Sequence, residues 1–372
     1  MLRPLTAKPR RVLMSTDAVG GVWTYALELA AGLAGEGVET VLVGLGPRPD
    51  EAQERAARQV VGLDLRWLDL PLDWLAEDEA RFTATVRALS RLAEDTGAGL
   101  VHLNAPAQAA GFEVDVPLVV AAHSCLATWW KAVKTGAMPE DWGWRVRLTA
   151  EGLRRADLVL APSRAFGAAL ESCYGPLRVS VVHNGRDLRR KPAPKGRFVL
   201  TAGRLWDEGK NLTTLDAAAD GLSWPVTAAG ALQGPTGSRV RLRHMALLGA
   251  LPESAVARLC AEAPIFASLA LYEPFGLAVL EAAQAGAALV LSDIPTFREL
   301  WDGAALFVPP RDATATRDAL EGLIADERRR RALQDAARRQ ATRFTPQLMT
   351  ESMLAAYAQA LAAPRPALPV PA

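Results

Sequence analysis

Two carboxylates, Glu273 and Glu281, stand eight positions apart in the otherwise apolar stretch ALYEPFGLAVLEAAQAGAALVLSD, residues 270–293. Even a neutral polar group buried without a partner costs roughly 2–7 kcal/mol, so a segment this hydrophobic must offer its acids something to bind. Pro274 and Gly276 place a turn after Glu273 and a helix start at Gly276 or Leu277, which puts Glu281 about one turn into that helix. The leading N–H groups of such a helix lack intrahelical acceptors and suit an anion. A second constellation lies in TAGRLWDEGKNL, residues 201–212, where Arg204 follows a strand and Lys210 with Asn211 opens a helix. Arg supplies a forked donor and Lys a point charge. Read alone, these two cations are surface charge. Read beside the glutamates they complete a site in which carboxylates take hydroxyl hydrogen bonds from a polyol while cations and backbone N–H groups hold its phosphates. A sugar nucleotide has both features.

Other residues admit more than one reading. His123 ends the strand-like VVAAHSCL, and an isolated histidine there is most simply structural. Trp129, Trp130, Trp142 and Trp144 crowd into residues 128–148 with Lys131, Lys134, Arg145 and Arg147 between them. Packing within the fold, a platform for a sugar or apolar acceptor, and contact with an anionic or membrane surface all fit that pattern. No two aspartates are separated by a single residue, so the DxD signature of a metal-bridged diphosphate is absent and no metal ligand set is expected. The ERRRR run at residues 327–331 reads as a solvated helix face.

The elements that must position these groups alternate between strand and helix. The Arg11–Asp17 run is a buried strand, AVGG a turn, VWTYALELAAGLAGEG a helix closing on glycine, and Val38–Gly46 a second strand. GLVHLNA, PLVVAAHS, DLVLAPS and VSVVHNG continue the series as near-continuous apolar strands, the pattern of a parallel sheet covered by helices on both faces. A second series begins at FVLTAG after the proline- and charge-rich segment 185–197, and runs through VTAAG, APIFASLA and ALVLSD. The fold class is therefore α/β: two Rossmann-like, doubly wound domains facing across a cleft, with ligands expected at the carboxyl ends of the strands.

Composition narrows the function classes. At 372 residues, with half of them hydrophobic and 29 Gly and 25 Pro, the chain suits two globular domains. Forty-two Lys and Arg against 41 Asp and Glu leave a net charge of +1, which gives no broad basic field for nucleic acid. Cys125, Cys173 and Cys260 lie far apart without CxxC spacing, which suggests a reducing cytoplasm and neither a zinc knuckle nor a disulfide framework. No apolar run reaches membrane-spanning length, which leaves peripheral contact at the inner membrane face open.

GRLWDEGKN at residues 203–211, the spacing EPFGLAVLE at 273–281 and NGRD at 184–187 together resemble the retaining glycosyltransferases of family 4, which share the GT-B fold. GGVWTYALELA, AAHS, APS and DGAALFVPPRD extend the likeness over nearly the whole chain. The resemblance implies a nucleotide-sugar donor, such as a UDP- or GDP-sugar, and no separate cofactor. It implies that Arg204 and Lys210 bind the donor diphosphate, Glu273 the transferred sugar and Glu281 the ribose, with Phe275, Gly276 and Leu277 lining the same site. Gly20 and Gly21 would let the first-domain loop approach the donor, and His123 would contact the transferred sugar or the reacting centre. The expected acceptor is a hydroxyl of a glycan, lipid or small molecule, read by first-domain loops including Asn104, Trp129 and Trp130; the sequence leaves the donor base and sugar open among UDP-glucose-type, GDP-mannose-type and related donors. The domains expected are 1–190 for the acceptor, 191–345 for the nucleotide sugar, and 346–372 as a helix returning to the first domain with a loose Pro/Ala tail. The implied reaction is metal-independent, front-face glycosyl transfer with retention. Two alternatives share the scaffold, a sugar-nucleotide epimerase and a non-catalytic nucleotide-sugar-binding protein.

Overall fold

A computed structural model describes residues 8–187 and 193–363, so the Pro/Ala tail and part of the proposed linker lie outside the described residues. The first domain holds strands β1 (Arg11–Asp17), β2 (Glu39–Leu45), β3 (Leu63–Trp67), β4 (Leu100–Leu103), β5 (Leu118–Ala121), β6 (Leu158–Ala161) and β7 (Val179–Val181). The second holds β8 (Val199–Ala202), β9 (Val226–Ala229), β10 (Met245–Gly249), β11 (Ile265–Ser268), β12 (Ala288–Ser292) and β13 (Ala305–Val308). The first sheet is ordered β3-β2-β1-β4-β5-β6-β7 and the second β10-β9-β8-β11-β12-β13, with every named pairing parallel.

Both orders reverse direction at one place, between β1 and β4 and between β8 and β11, and doubly wound sheets bind ligands at such switch points. The central strands are apolar on both faces because helices cover both. Leu13 joins one buried cluster of the first domain while its neighbours Val12 and Met14 join the cluster on the opposite face. Leu200 and Val199 divide the second domain's two clusters in the same way.

Three strands, β3, β10 and β13, are additional to those expected from the sequence. All three are sheet edges: LDLRW of β3 alternates, whereas the apolar MALLG of β10 leaves Ala246, Leu247 and Leu248 facing solvent. The last helix, Pro346–Ala362, lies on the first domain, where Met349, Met353, Ala356 and Tyr357 join the cluster of Val12, Leu29 and Val182. Its crossing with the Gly21–Gly35 helix is tight, since a Cβ on Gly32 would sit 1.9 Å from Thr350 Oγ1.

Candidate active site

The carboxyl ends of both sheets open on one cleft of about 840 Å³ between the domains. Gly20 and Gly21 follow β1, His123 follows β5, Arg204 follows β8 and Glu273 follows β11, and all of them line it together with Lys210, Phe275, Gly276, Leu277 and Glu281. Residues separated by up to 261 positions thus meet because each lies in the loop after a central strand or in the helix that the loop leads into.

The second-domain wall is charged. Lys210 Nζ donates to Glu273 Oε2 at 2.5 Å, with both side chains largely buried. Arg204 Nη2 donates to Asp207 Oδ2 at 2.9 Å, while Asp207 Oδ1 accepts from the backbone of Gly209. Arg204 remains 41% exposed, so much of its guanidinium fork still faces the cleft. Asn211, the non-glycine residue with a left-handed backbone (φ 54°), closes the Lys210 turn. Its side-chain amide donates to Leu269 O and Pro310 O, and its carbonyl oxygen accepts from Thr214, which holds the strained residue in place. Leu271 N donates to Gly209 O at 2.8 Å, tying the lysine turn to the glutamate loop.

Two helix N-termini enter the cleft from opposite domains. The Leu277–Gln284 helix starts from Gly276, whose φ of 95° only glycine adopts cheaply, and the Gly21–Gly35 helix starts from Gly20. A Cβ on Gly21 would lie 3.2 Å from Leu277 Cδ1, and one on Gly20 3.2 Å from Arg204 Nη1. The unpaired N–H groups of both first turns therefore meet where the cations are. Glu281, one turn into its helix, gives Oε1 to Arg186 Nε at 3.0 Å. Arg186 also binds Glu28 Oε1 of the first-domain helix at 2.6 Å and Glu253. The two carboxylates of the apolar stretch are thus each matched by one cation, Lys210 for Glu273 and Arg186 for Glu281.

The first-domain wall is neutral. Asn104 Nδ2 donates to Ser15 O at 2.6 Å, which directs its Oδ1 to accept from His102 Nε2 and His123 Nε2, both at 3.0 Å. Both rings therefore carry their proton on Nε2, and His102 Nδ1 accepts from the Tyr357 hydroxyl at 2.8 Å. Burial pushes His102 down to about 4 and His123 down to about 3, so both stay neutral near pH 7. His123 is left with an Nδ1 lone pair, an acceptor for a hydroxyl.

The structure separates three expected residues from the cleft wall. Asn104 is buried and fully engaged, so it orients His123 and is not available to an acceptor. Trp129 and Trp130 lie outside the cleft lining, with their indole N–H groups already donated to Asp207 Oδ1 at 3.2 Å and Gly136 O at 2.8 Å. Trp130 instead borders a second, open hollow of about 740 Å³ with Lys131 and Lys134. After β9, Gln233–Pro235 of AAGALQGP lines the cleft, whereas Met245–Gly249 forms edge strand β10.

Sequence reading missed Trp206, Asp207 and Tyr272, which line the cleft, and the buried Asp17 behind it. Asp17 ends β1, and burial raises its carboxyl above the usual range while the Val19 N–H and the Arg204 charge pull it back. Asp207 had a usable signal, an acid three residues after Arg204. Tyr272 had none, since its hydroxyl meets Thr128 at 2.8 Å and Ser124 at 3.2 Å only once the domains are docked. Among the described residues no group of three or more His, Cys, Asp or Glu is placed to hold a metal ion, and no helix is long and apolar enough to cross a membrane.

Two parallel doubly wound domains that place cations, paired acids and two helix N-termini around one interdomain cleft form a GT-B glycosyltransferase. The sequence profile of Glycosyltransferase Family 4 matches residues 19–190, and that of Glycosyl transferases group 1 matches residues 188–340. The chain belongs to glycosyltransferase family 4. It is 26% identical to a glycogen synthase of Mycobacterium tuberculosis over 399 aligned positions, which cover 95% of each chain. Its fold matches a sucrose-phosphate synthase of Thermosynechococcus elongatus with a TM-score of 0.78 at 18% identity, covering 94% of this chain and 98% of that one. It also matches Anabaena Alr3699/HepE, solved with UDP and glucose, with a TM-score of 0.69 at 16% identity, covering 93% and 98%.

Proposed function

We propose that this enzyme moves a hexosyl unit from a nucleoside diphosphate sugar to a hydroxyl of a carbohydrate, lipid or small-molecule acceptor, with retention of configuration and without a metal. The observation that carries the reading is the convergence of Arg204, Lys210 and two helix N-termini beside Glu273 and Glu281 in one cleft. In this reading Arg204, Lys210 and the leading amides of the Leu277–Gln284 helix neutralise the diphosphate. Preorganised donors of this kind stabilise a departing charge by roughly 3–4 kcal/mol each. Glu281 accepts from the ribose through the oxygen that Arg186 leaves open, and Glu273 with His123 Nδ1 accepts from hydroxyls of the transferred sugar.

Retention is what the family resemblance implies, and the acids available bear on the route by which it is reached. Glu273 is held against Lys210, which makes it a poor nucleophile for a double displacement. The acceptor oxygen therefore attacks the anomeric carbon on the face from which the diphosphate leaves. The C–O bond to phosphate breaks with its electron pair passing to the diphosphate, and a phosphate oxygen takes the acceptor proton. His123, neutral and with its N–H committed to Asn104, orients the sugar and does not protonate it.

Thermal-shift titration with UDP, GDP and ADP, UDP first because the HepE structure holds it, should show one nucleotide stabilising the protein. A ligand at a hundred times its dissociation constant adds about 2.7 kcal/mol. The matching sugar nucleotide, incubated with excess chelator and an acceptor panel, should give an α-linked product from an α-linked donor by NMR. An inverted product, an epimerised free donor, or activity abolished by chelator and restored by Mg²⁺ would each remove part of this proposal.

A further inference from the structure

Arg186 is a buried guanidinium that bridges the domains. Its side chain is 9% exposed, and its three nitrogens reach three carboxylates: Nη1 to Glu28, Nε to Glu281 and Nη2 to Glu253. Its backbone is pinned as well, N donating to Phe344 O at 3.2 Å and O accepting from Gln284 Nε2 at 2.5 Å. Glu28 lies two turns into the Gly21–Gly35 helix and Glu281 one turn into the Leu277–Gln284 helix. These are the two helices whose N-termini meet in the cleft, where Gly21 and Leu277 face each other. One side chain thus joins, behind the site, the helices that converge within it.

The chemistry favours a positioning role. A forked, fixed guanidinium dictates the direction of each carboxylate it binds, which a mobile ammonium does not. Glu281 gives one oxygen to Arg186, and its other oxygen has no protein hydrogen bond among the described residues, on a side chain that lines the cleft. Stability alone does not account for such an arrangement, because a buried ion cluster recovers little more than its desolvation cost.

We propose that Arg186 is a positioning residue for the nucleotide: it aims the free oxygen of Glu281 at the ribose hydroxyls and couples that aim, through Glu28, to the first-domain helix. The proposal rests on the reading of Glu281 as the ribose contact. Glu28 and Glu253 discriminate it from mere structural support. Both bind Arg186 and neither lines the cleft, but Glu253 is 67% exposed whereas Glu28 is 20% exposed and belongs to the other domain.

The test measures dissociation constants of UDP, GDP and their 2′,3′-dideoxy counterparts by calorimetry on the full chain and on Glu28→Gln, Glu253→Gln, Glu281→Ala and the Glu28→Gln/Glu281→Ala double variant. Each single variant leaves Arg186 with two carboxylates, so the fold should persist, as melting curves will show. The wild type should prefer its ribonucleotide over the dideoxy form by at least about tenfold, the scale of one charge-assisted hydrogen bond. Glu281→Ala should erase that preference. Glu28→Gln should shrink it to about threefold or less, Glu253→Gln should leave it within about twofold, and the double variant should match Glu281→Ala because coupled sites are not additive. A Glu28→Gln protein that keeps the full preference, or single effects that simply multiply, would overturn the positioning role while leaving the ribose contact intact. A Glu281→Ala protein that still prefers the ribonucleotide would overturn the ribose contact and the positioning role with it.

Discussion

The two walls of the cleft solve opposite electrostatic problems. The second-domain wall carries Arg204, Lys210, Asp207 and Glu273 as ion pairs at a partly open surface. The first-domain wall presents His123, backed by Asn104, His102 and Tyr357 in a buried, uncharged chain of hydrogen bonds ending on the last helix. Charge is concentrated where a diphosphate must be held and released, and kept away from where hydroxyl groups are sorted. A formal charge opposite the sugar would compete with the diphosphate site and would let the histidine titrate in the working range. The comparison predicts that removing charge from one wall and adding charge to the other are both damaging, in different observables.

The largest effect belongs to Arg204→Ala. Its side chain is 41% exposed and its one ion pair among the described residues is local, so folding should survive. Turnover with the matched sugar nucleotide should fall by at least about a hundredfold, the scale seen when one preorganised donor to a developing oxyanion is removed. A variant retaining a tenth of wild-type kcat would show that the charged wall only binds.

Asn104→Asp attacks the neutral wall. A carboxylate between His102 and His123 favours the imidazolium of each and should raise both from about 4 and about 3 toward the ordinary histidine range. The wild-type rate profile should show no histidine titration between about pH 5 and 9; the variant should gain an acid limb near neutrality and lose roughly tenfold in kcat above it, as expected of a misoriented sugar contact. Identical profiles would mean that His123 does not act on the sugar as a neutral acceptor.

How legible the walls were in the sequence follows the same division. Glu273, Glu281, Arg204 and Lys210 announce themselves because a charged residue in an apolar or glycine-rich setting is conspicuous at short range. The apolar strands that carry them were equally plain, while the edge strands β3, β10 and β13 were not: LDLRW alternates, and the short apolar MALLG lies on an edge with three of its side chains in solvent. The neutral wall was not legible. His102 looks like one more strand residue, and nothing near it in sequence announces Tyr357, 255 positions away, as its partner. Asn104 was read as an acceptor contact because a polar residue ending a strand normally faces the cleft; the approach of Ser15 Oγ to its backbone and of Ser15 O to its amide turns it inward. Arg186 could be seen in NGRD, but its three partners come from three different helices.

A smaller effect probes the link between the walls. Trp129 reaches from the first domain to Asp207, the residue that orients Arg204. Trp129→Phe keeps most of the apolar contact and deletes the N–H, so kcat should drop only about two- to fivefold, less than the full worth of a charge-assisted hydrogen bond, because Asp207 keeps its bonds to Arg204 and the Gly209 amide. A loss as large as that of Arg204→Ala would mean that domain docking, and not the cation alone, sets the charged wall.

The smallest effect concerns stability. His102 in the folded protein titrates at about 4, below its ordinary 6.5 in the unfolded chain. Between those values the unfolded state binds a proton that the folded state refuses, so stability falls as pH falls, by up to about 1.4 kcal/mol per pH unit from this residue. Above about pH 6.5 neither state is protonated there and the contribution vanishes. Gln at this position can donate its amide to Asn104 Oδ1 and accept from the Tyr357 hydroxyl, reproducing both hydrogen bonds without a titrating group. Urea unfolding of His102→Gln and wild type at pH 7, 6 and 5 should therefore give similar stabilities at pH 7 that separate on acidification in the variant's favour, the variant losing about 2 kcal/mol less than wild type between pH 7 and 5. Parallel losses would show that His102 is protonated with little penalty, and that the first-domain wall is not the uncharged surface its hydrogen bonds describe.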